Sequence, residues 1–264
     1  MERNSKFIFD KNINSFSPEG RLYQLEYTIK ASDNSGAVCI ITKGLDSICL
    51  VEEKKRNLFD SKSSKDSFSL KLDDFSGCVC SGISGDLNST ISEIIQEFIY
   101  FHEKNGYNIS IDQLANNISK KKQILTQQSF TRLSGVKTVF FGIDKEIGPL
   151  VLKMDPSGFF SSYSICGIGE KEIEFISYAK KNSIVPGIKY FNYEKTITFT
   201  LSLIQHFLKS DLKATDIKIT IVSTKNKFQI LSLREIDYYL EKLRKINQFN
   251  EKKYQENVLI TLKN

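Results

Sequence analysis

The 264-residue sequence predicts an α+β fold in which packed sheets carry helix layers on their outer sides. Three observations lead there. Apolar, β-branched runs of strand length come in groups, the first over Ser35–Val51 and a later one over Val136–Ile165. Pairs of segments with apolar residues at helical spacing lie between and after these groups. No internal repeat and no Pro/Gly/Ser-rich linker divides the chain, so one domain over about residues 1–246 is expected, with a polar tail at 247–264 carrying the apolar patch VLITL.

Taken in order, the first element is a helix over about residues 17–31, preceded by a segment of about residues 1–16. It opens in FSPEGRLYQLEY, Phe16 to Tyr27. Ser17 is an N-cap residue by type and Pro18 suits the first helical position. Glu19 adds negative charge at the positive end of the dipole. Leu22, Leu25 and Ile29 form an apolar stripe that would be open to a partner. Gly20 weakens a helix by about 1 kcal/mol relative to Ala, and its presence suggests that something packs close to the backbone.

SGAVCIIT (35–42) and SICLV (47–51) read as a hairpin of buried strands turning at Lys43-Gly44. DSKSSKD (60–66) reads as a loop. Strands follow at Phe68–Leu72 and Gly77–Ser81. A long helix capped by Ser84 or Asp86 buries Leu87, Ile91, Ile94, Ile95 and Phe98, and Gly106 ends it. A second helix from about Ile111 to Leu125 buries Ile111, Leu114, Ala115 and Ile118. Its triple lysine, Lys120 to Lys122, is expected on the wet side. Strands return at Val136–Ile143, Leu150–Met154 and Phe159–Ile165, the last after the turn tetrad Asp155-Pro156-Ser157-Gly158. Helices are expected at Glu170–Lys181 and Tyr193–Leu208, strands at Ile217–Ser223 and Phe228–Leu231, and a last helix at Leu233–Ile246.

Composition narrows the function classes. Net charge is +6, but the basic clusters Lys54-Lys55-Arg56 and Lys120-Lys121-Lys122 are short and lack interleaved aromatics, so no nucleic-acid partner is expected. No apolar run reaches the length of a membrane span and no signal-peptide core opens the sequence, so a soluble intracellular protein is expected. The five cysteines, Cys39, Cys49, Cys78, Cys80 and Cys166, sit in strand-like runs and read as reduced buried thiols. Cys78 and Cys80 would share one strand face. Their C-x-C spacing lacks a second pair and a nearby histidine, so no metal site and no cofactor is expected. His102 and His206 accompany no nucleophile motif, which argues against a His-based triad.

FSPEGRLYQLEY resembles the N-terminal signature of the alpha-type subunits of the 20S proteasome. The similarity continues over about residues 7–240. It includes KGLDS and SICLVEEKK at the hairpin, SGISGDLNS at 81–89, HEKNGYNIS at 102–110 and GIDKEIGPLVLKMDPSGFF at 142–160. RLYQ, KGLDS and KFQILSLREID are most similar to the first alpha position, alpha type-6 in another nomenclature. The resemblance implies the four-layer α-β-β-α sandwich of the N-terminal-nucleophile hydrolases. It implies a non-catalytic subunit in a hetero-heptameric alpha ring, stacked on beta-ring subunits and bound by a regulatory particle or other activators through their C-terminal tails. Cytoplasm and nucleus are the locations it implies, and ring assembly, gating and activator docking in ubiquitin-dependent and ubiquitin-independent degradation are the implied roles.

Residue roles follow from the same resemblance. Phe9-Asp10-Lys11 matches the family's Tyr-Asp-Arg gate motif, with Asp10, Pro18 and Tyr27 matching the cluster that holds an open gate. Phe9 lacks the phenol hydroxyl and Lys11 replaces a bidentate guanidinium with a point charge. Lys71 aligns with the lysine that pairs with an activator's terminal carboxylate in the pocket between neighbouring alpha subunits. Gly20 and Glu26 match the rim of that pocket, where a side chain at Gly20 would block the incoming tail. Catalytic beta-type subunits start their first strand at a free threonine. Here that strand opens Ser35-Gly36-Ala37-Val38 without a Gly-Thr cleavage pair, so a catalytic N-terminal-nucleophile subunit is the lesser alternative. Ser35 reads as a loop serine and Asp46, near the family's active-site Asp position, as a turn carboxylate.

Overall fold

The computed structural model describes residues 13, 15–34, 36–54, 67–128, 131–181, 190–208 and 212–246. Phe9, Asp10, Lys11, Ser35, the 60–66 loop and the 247–264 tail lie outside them.

Helix α1 (Tyr23–Asp33) precedes strands β1 (Cys39–Lys43), β2 (Ser47–Glu53), β3 (Ser67–Lys71) and β4 (Ser76–Gly82). Helices α2 (Ser84–Asn105) and α3 (Ile111–Gln127) come next, then β5 (Val136–Asp144), β6 (Gly148–Met154), β7 (Phe160–Ser162) and β8 (Ile165–Ile168). Helices α4 (Glu172–Lys181) and α5 (Tyr193–Leu208) lead to β9 (Ile217–Ser223) and β10 (Lys227–Ile230). A final helix, α6, covers 233–246.

All strand pairs are antiparallel and form two sheets, β10-β9-β2-β1-β8 and β3-β4-β5-β6-β7. The period-2 alternation of each strand gives each sheet two apolar faces. Cys39, Ile41, Leu50, Val79, Val139, Phe141, Val151 and Val222 meet between the sheets. On the outer side of the first sheet, Val38, Ile40, Cys49, Val51 and Ile219 pack under α4, α5 and α6 through Phe175, Ile197, Leu201 and Leu240. On the outer side of the second, Cys78, Cys80, Phe140 and Leu152 pack under α2 and α3 through Leu87, Ile94, Leu114 and Ile118. The result is the four-layer α-β-β-α sandwich. All five cysteines are free and buried, with Cys78 and Cys80 on one face.

Five expectations are corrected. The first helix begins at Tyr23 rather than near Ser17. Ser17 does accept a backbone N–H on its hydroxyl, from Arg21 at 3.1 Å, but the turn it closes is separate from the helix. Gly20 sits in that turn at φ +76°, outside the helical region, and a Cβ there would meet nothing within 4 Å. Backbone conformation, and no close neighbour in this chain, explains the glycine. Helix α2 starts behind Ile83 with no side-chain cap; the Asp86 carboxylate instead accepts from Arg132 and from the Gly135 N–H (2.8 Å). Lys122 is not on the wet side of α3: it is 3% exposed and donates to the Val136 carbonyl at 3.2 Å, while Lys120 and Lys121 face solvent. Finally, Phe159–Ile165 is no single strand. β7 pairs with β6 in one sheet, β8 pairs with β1 in the other, and Tyr163-Ser164 carry the chain across.

Candidate functional site

Three places matter: α1 and the turn before it, the head of β1, and the far end of β3. The turn is closed by the Gly20 N–H on the Ser17 carbonyl (2.8 Å) and the Ser17 N–H on the Arg21 carbonyl (2.9 Å). Arg21 then forms a two-point ion pair with Glu26, one arm at 2.8 Å, which holds the Glu26 carboxyl below its ordinary range. Its guanidinium lies 5.6 Å from the Tyr23 ring centroid, and Tyr23 stacks on Tyr27 at 6.2 Å. Pro18 is exposed in the turn, and Tyr27 is half exposed. Leu22, Leu25 and Ile29 are only partly covered, and Ser32 is the fully buried residue of α1.

The head of β1 is sealed. Ala37 is 2% exposed and its carbonyl accepts from the Ser81 hydroxyl at 3.3 Å. Gly169, at φ +100°, packs so closely that a Cβ would lie 2.2 Å from the same carbonyl. Beside this point stands a buried ion cluster, which sequence reasoning missed. Lys137 of β5 pairs with Asp33 at the end of α1 and with Glu172 at the start of α4 (2.8 Å). Glu172 also pairs with Lys153 of β6. Burial works against the Lys137 charge, but Glu172 and Asp33 outweigh it and hold the ammonium above its usual pKa. Burial pushes the neighbouring Asp155 carboxyl up. One signal was available: Lys137 and Lys153 share strand parity with Val139, Phe141 and Val151, the residues between the sheets. Asp46 is not near this cluster. It lies in the β1–β2 turn beyond Lys43, at the other end of β1, roughly 20 Å from Ala37 at about 3.3 Å per residue.

Lys71 sits at the end of β3 away from α1. Ser67 of β3 pairs with Ser81, and Lys137 pairs with the same Ser81, whereas Lys71 pairs with Gly77 about 13 Å along the strand. Lys71 is bound to Asp74 (2.7 Å), whose second oxygen takes Lys227 (2.8 Å). Lys227 first and Lys71 second pull the Asp74 carboxyl down to about 2. The Asp74 carbonyl accepts from the Phe228 N–H (2.7 Å), so this clasp also ties the edge of one sheet to the other. Among the described residues, Lys71 pairs with Asp74 and Glu26 with Arg21. Among the described residues, no group of three or more His, Cys, Asp or Glu could hold a metal ion, and no helix is long and apolar enough to cross a membrane.

Comparison with known proteins agrees with the geometry. The family model described as "Proteasome subunit" matches residues 34–222, and the model of the N-terminal signature of A-type proteasome subunits matches residues 9–31. The chain is 33% identical over 237 residues to the probable alpha type-1 proteasome subunit of Schizosaccharomyces pombe, covering 89% of this chain and 96% of that one. It is 27% identical to the alpha type-6 proteasome subunit of Caenorhabditis elegans, covering 92% and 98%. It is 29% identical to the alpha proteasome subunit of Metallosphaera sedula, covering 89% and 96%.

Proposed function

The chain belongs to the proteasome subunit family and is of its alpha type, and from that premise we propose that it is a non-catalytic member of an alpha ring. The observation that carries this reading is the way α1 is fastened by its C-terminal end beside a closed β1 head. An N-terminal nucleophile would need that head open and the helix gone. The partly covered stripe of α1 and its stacked tyrosines supply apolar surface suited to a neighbouring subunit. The proposed position is the first alpha position, with beta-ring subunits below and residence in cytoplasm and nucleus.

In this reading the segment of about residues 1–16, with Phe9, Asp10 and Lys11, contributes to the gate, together with Pro18 and Tyr27. Lys71 is proposed as the cation for an activator's terminal carboxylate; its half-exposed ammonium holds Asp74, a partner it shares with Lys227. Gly20 and Glu26 would then reach the same tail from a neighbouring subunit. Deleting residues 1–12 in assembled particles tests the gate: peptide hydrolysis without activator rises several-fold if this chain helps to close it, and stays level if it does not. Lys71→Ala tests the docking role, and unchanged activator affinity removes it.

A further inference from the structure

Asp33 is the last residue of α1, where the negative end of the helix dipole disfavours a carboxylate. Its place is explained by Lys137, whose ammonium it meets with only 17% of the Asp33 side chain and 5% of the Lys137 side chain exposed. The charges alternate from there: Asp33, Lys137, Glu172, Lys153. Every inner member has two partners. If Asp33 leaves, Lys137 keeps Glu172, Glu172 keeps Lys153, and Asp33 itself regains water. Asp155 faces the same group. Burial keeps its carboxyl pKa high and the Asp33 charge adds to that effect, so departure of Asp33 favours an ionised Asp155 beside the two lysines. An isolated buried pair lacks this property, because removing one member strands the other. The remainder of α1 fits: its apolar stripe is partly covered, and Ser32, next to Asp33, is its fully buried residue.

We infer that Asp33 and Lys137 form an ionic latch through which α1 detaches from the sandwich as a unit while both sheets stay folded. The latch is a property of this chain and holds at any ring position. Amide exchange on the full chain, in the assembly in which it purifies, tests this. Asp33→Asn keeps the shape and removes the charge. Exchange over Tyr23–Asp33 is expected to rise about tenfold or more, as loss of a charged hydrogen bond implies. Exchange over Val136–Asp144 is expected to stay within about twofold, because the strands open separately. Lys137→Met is expected to raise α1 exchange in the parent chain and to add little to the Asp33→Asn variant, since the latch is already open there. The inference is overturned if Asp33→Asn leaves α1 exchange unchanged, speeds β5 equally, or prevents folding. It is also overturned if the two substitutions add independently.

Discussion

Replacing Gly20 by alanine separates two accounts of that residue. A Cβ at Gly20 meets nothing within 4 Å, so steric crowding inside the chain contributes nothing. The backbone stands at φ +76°, where an L-residue costs about 1–2 kcal/mol. Relaxing that angle would break the three turn hydrogen bonds that link Ser17 with Gly20 and Arg21. At roughly 1 kcal/mol each they outweigh the strain, so alanine is expected to accept the strained angle and leave the turn in place. The expected outcome is a destabilisation of the turn by about 1 kcal/mol, with Gly20→Asn costing less because asparagine tolerates that region. Amide exchange over residues 15–22 reads the local change, and activator affinity of assembled particles reads the pocket. An alanine variant with an unperturbed turn but abolished activator binding would refute the backbone account and reinstate the rim of a tail pocket as the reason for glycine.

Two further outcomes follow from the buried charges. Asp86→Ala strands the buried Gly135 N–H and frees Arg132, so a loss of about 3 kcal/mol is expected in chemical unfolding, with Asp86→Asn losing less. Arg132 first, with the Gly135 N–H also contributing, holds the folded-state Asp86 pKa below its unfolded value of about 4. Its stabilisation is therefore full above pH of about 4 and lost as pH falls through the folded pKa, so parent and Asp86→Asn stabilities should converge in acid. For Lys122 the sign reverses. Burial lowers its folded pKa, so the charged lysine destabilises the fold at neutral pH, and the penalty fades as pH rises above the folded pKa and is gone beyond the unfolded lysine value of about 10.4. Lys122→Met is expected to unfold at equal or higher denaturant concentration at neutral pH, by up to about 1 kcal/mol, whereas Lys122→Glu should lose about 3 kcal/mol or more.

Much of the architecture was legible because it rests on local pattern. The β-branched runs at Ile40–Thr42 and Ile219–Val222 lie on strands, and the stripes Leu87/Ile91/Ile94 and Leu114/Ile118 face the cores their spacing points to. Gly106 follows the last turn of α2 as expected, its N–H on the His102 carbonyl. What escaped depends on contacts distant in sequence. Lys122 and Lys137 are buried and Lys153 is partly buried because carbonyls and carboxylates from other elements meet them; strand parity hinted at the two strand lysines, and no local rule marked Lys122. The split of Phe159–Ile165 reflects which sheet each half joins, a choice made by β1 and β6. The start of α1 moved because Gly20 takes a left-handed backbone that interrupts the pattern Ser17 and Pro18 announce.

The account turns on an intact bond between the opening helix and the first strand. Peptide mapping of the chain taken from assembled particles addresses it directly, through a peptide that bridges Asp33 and Ala37. That peptide is predicted at full stoichiometry with the rest of the chain. A mature chain starting at Ser35 or Gly36, with the bridging peptide missing, would contradict it.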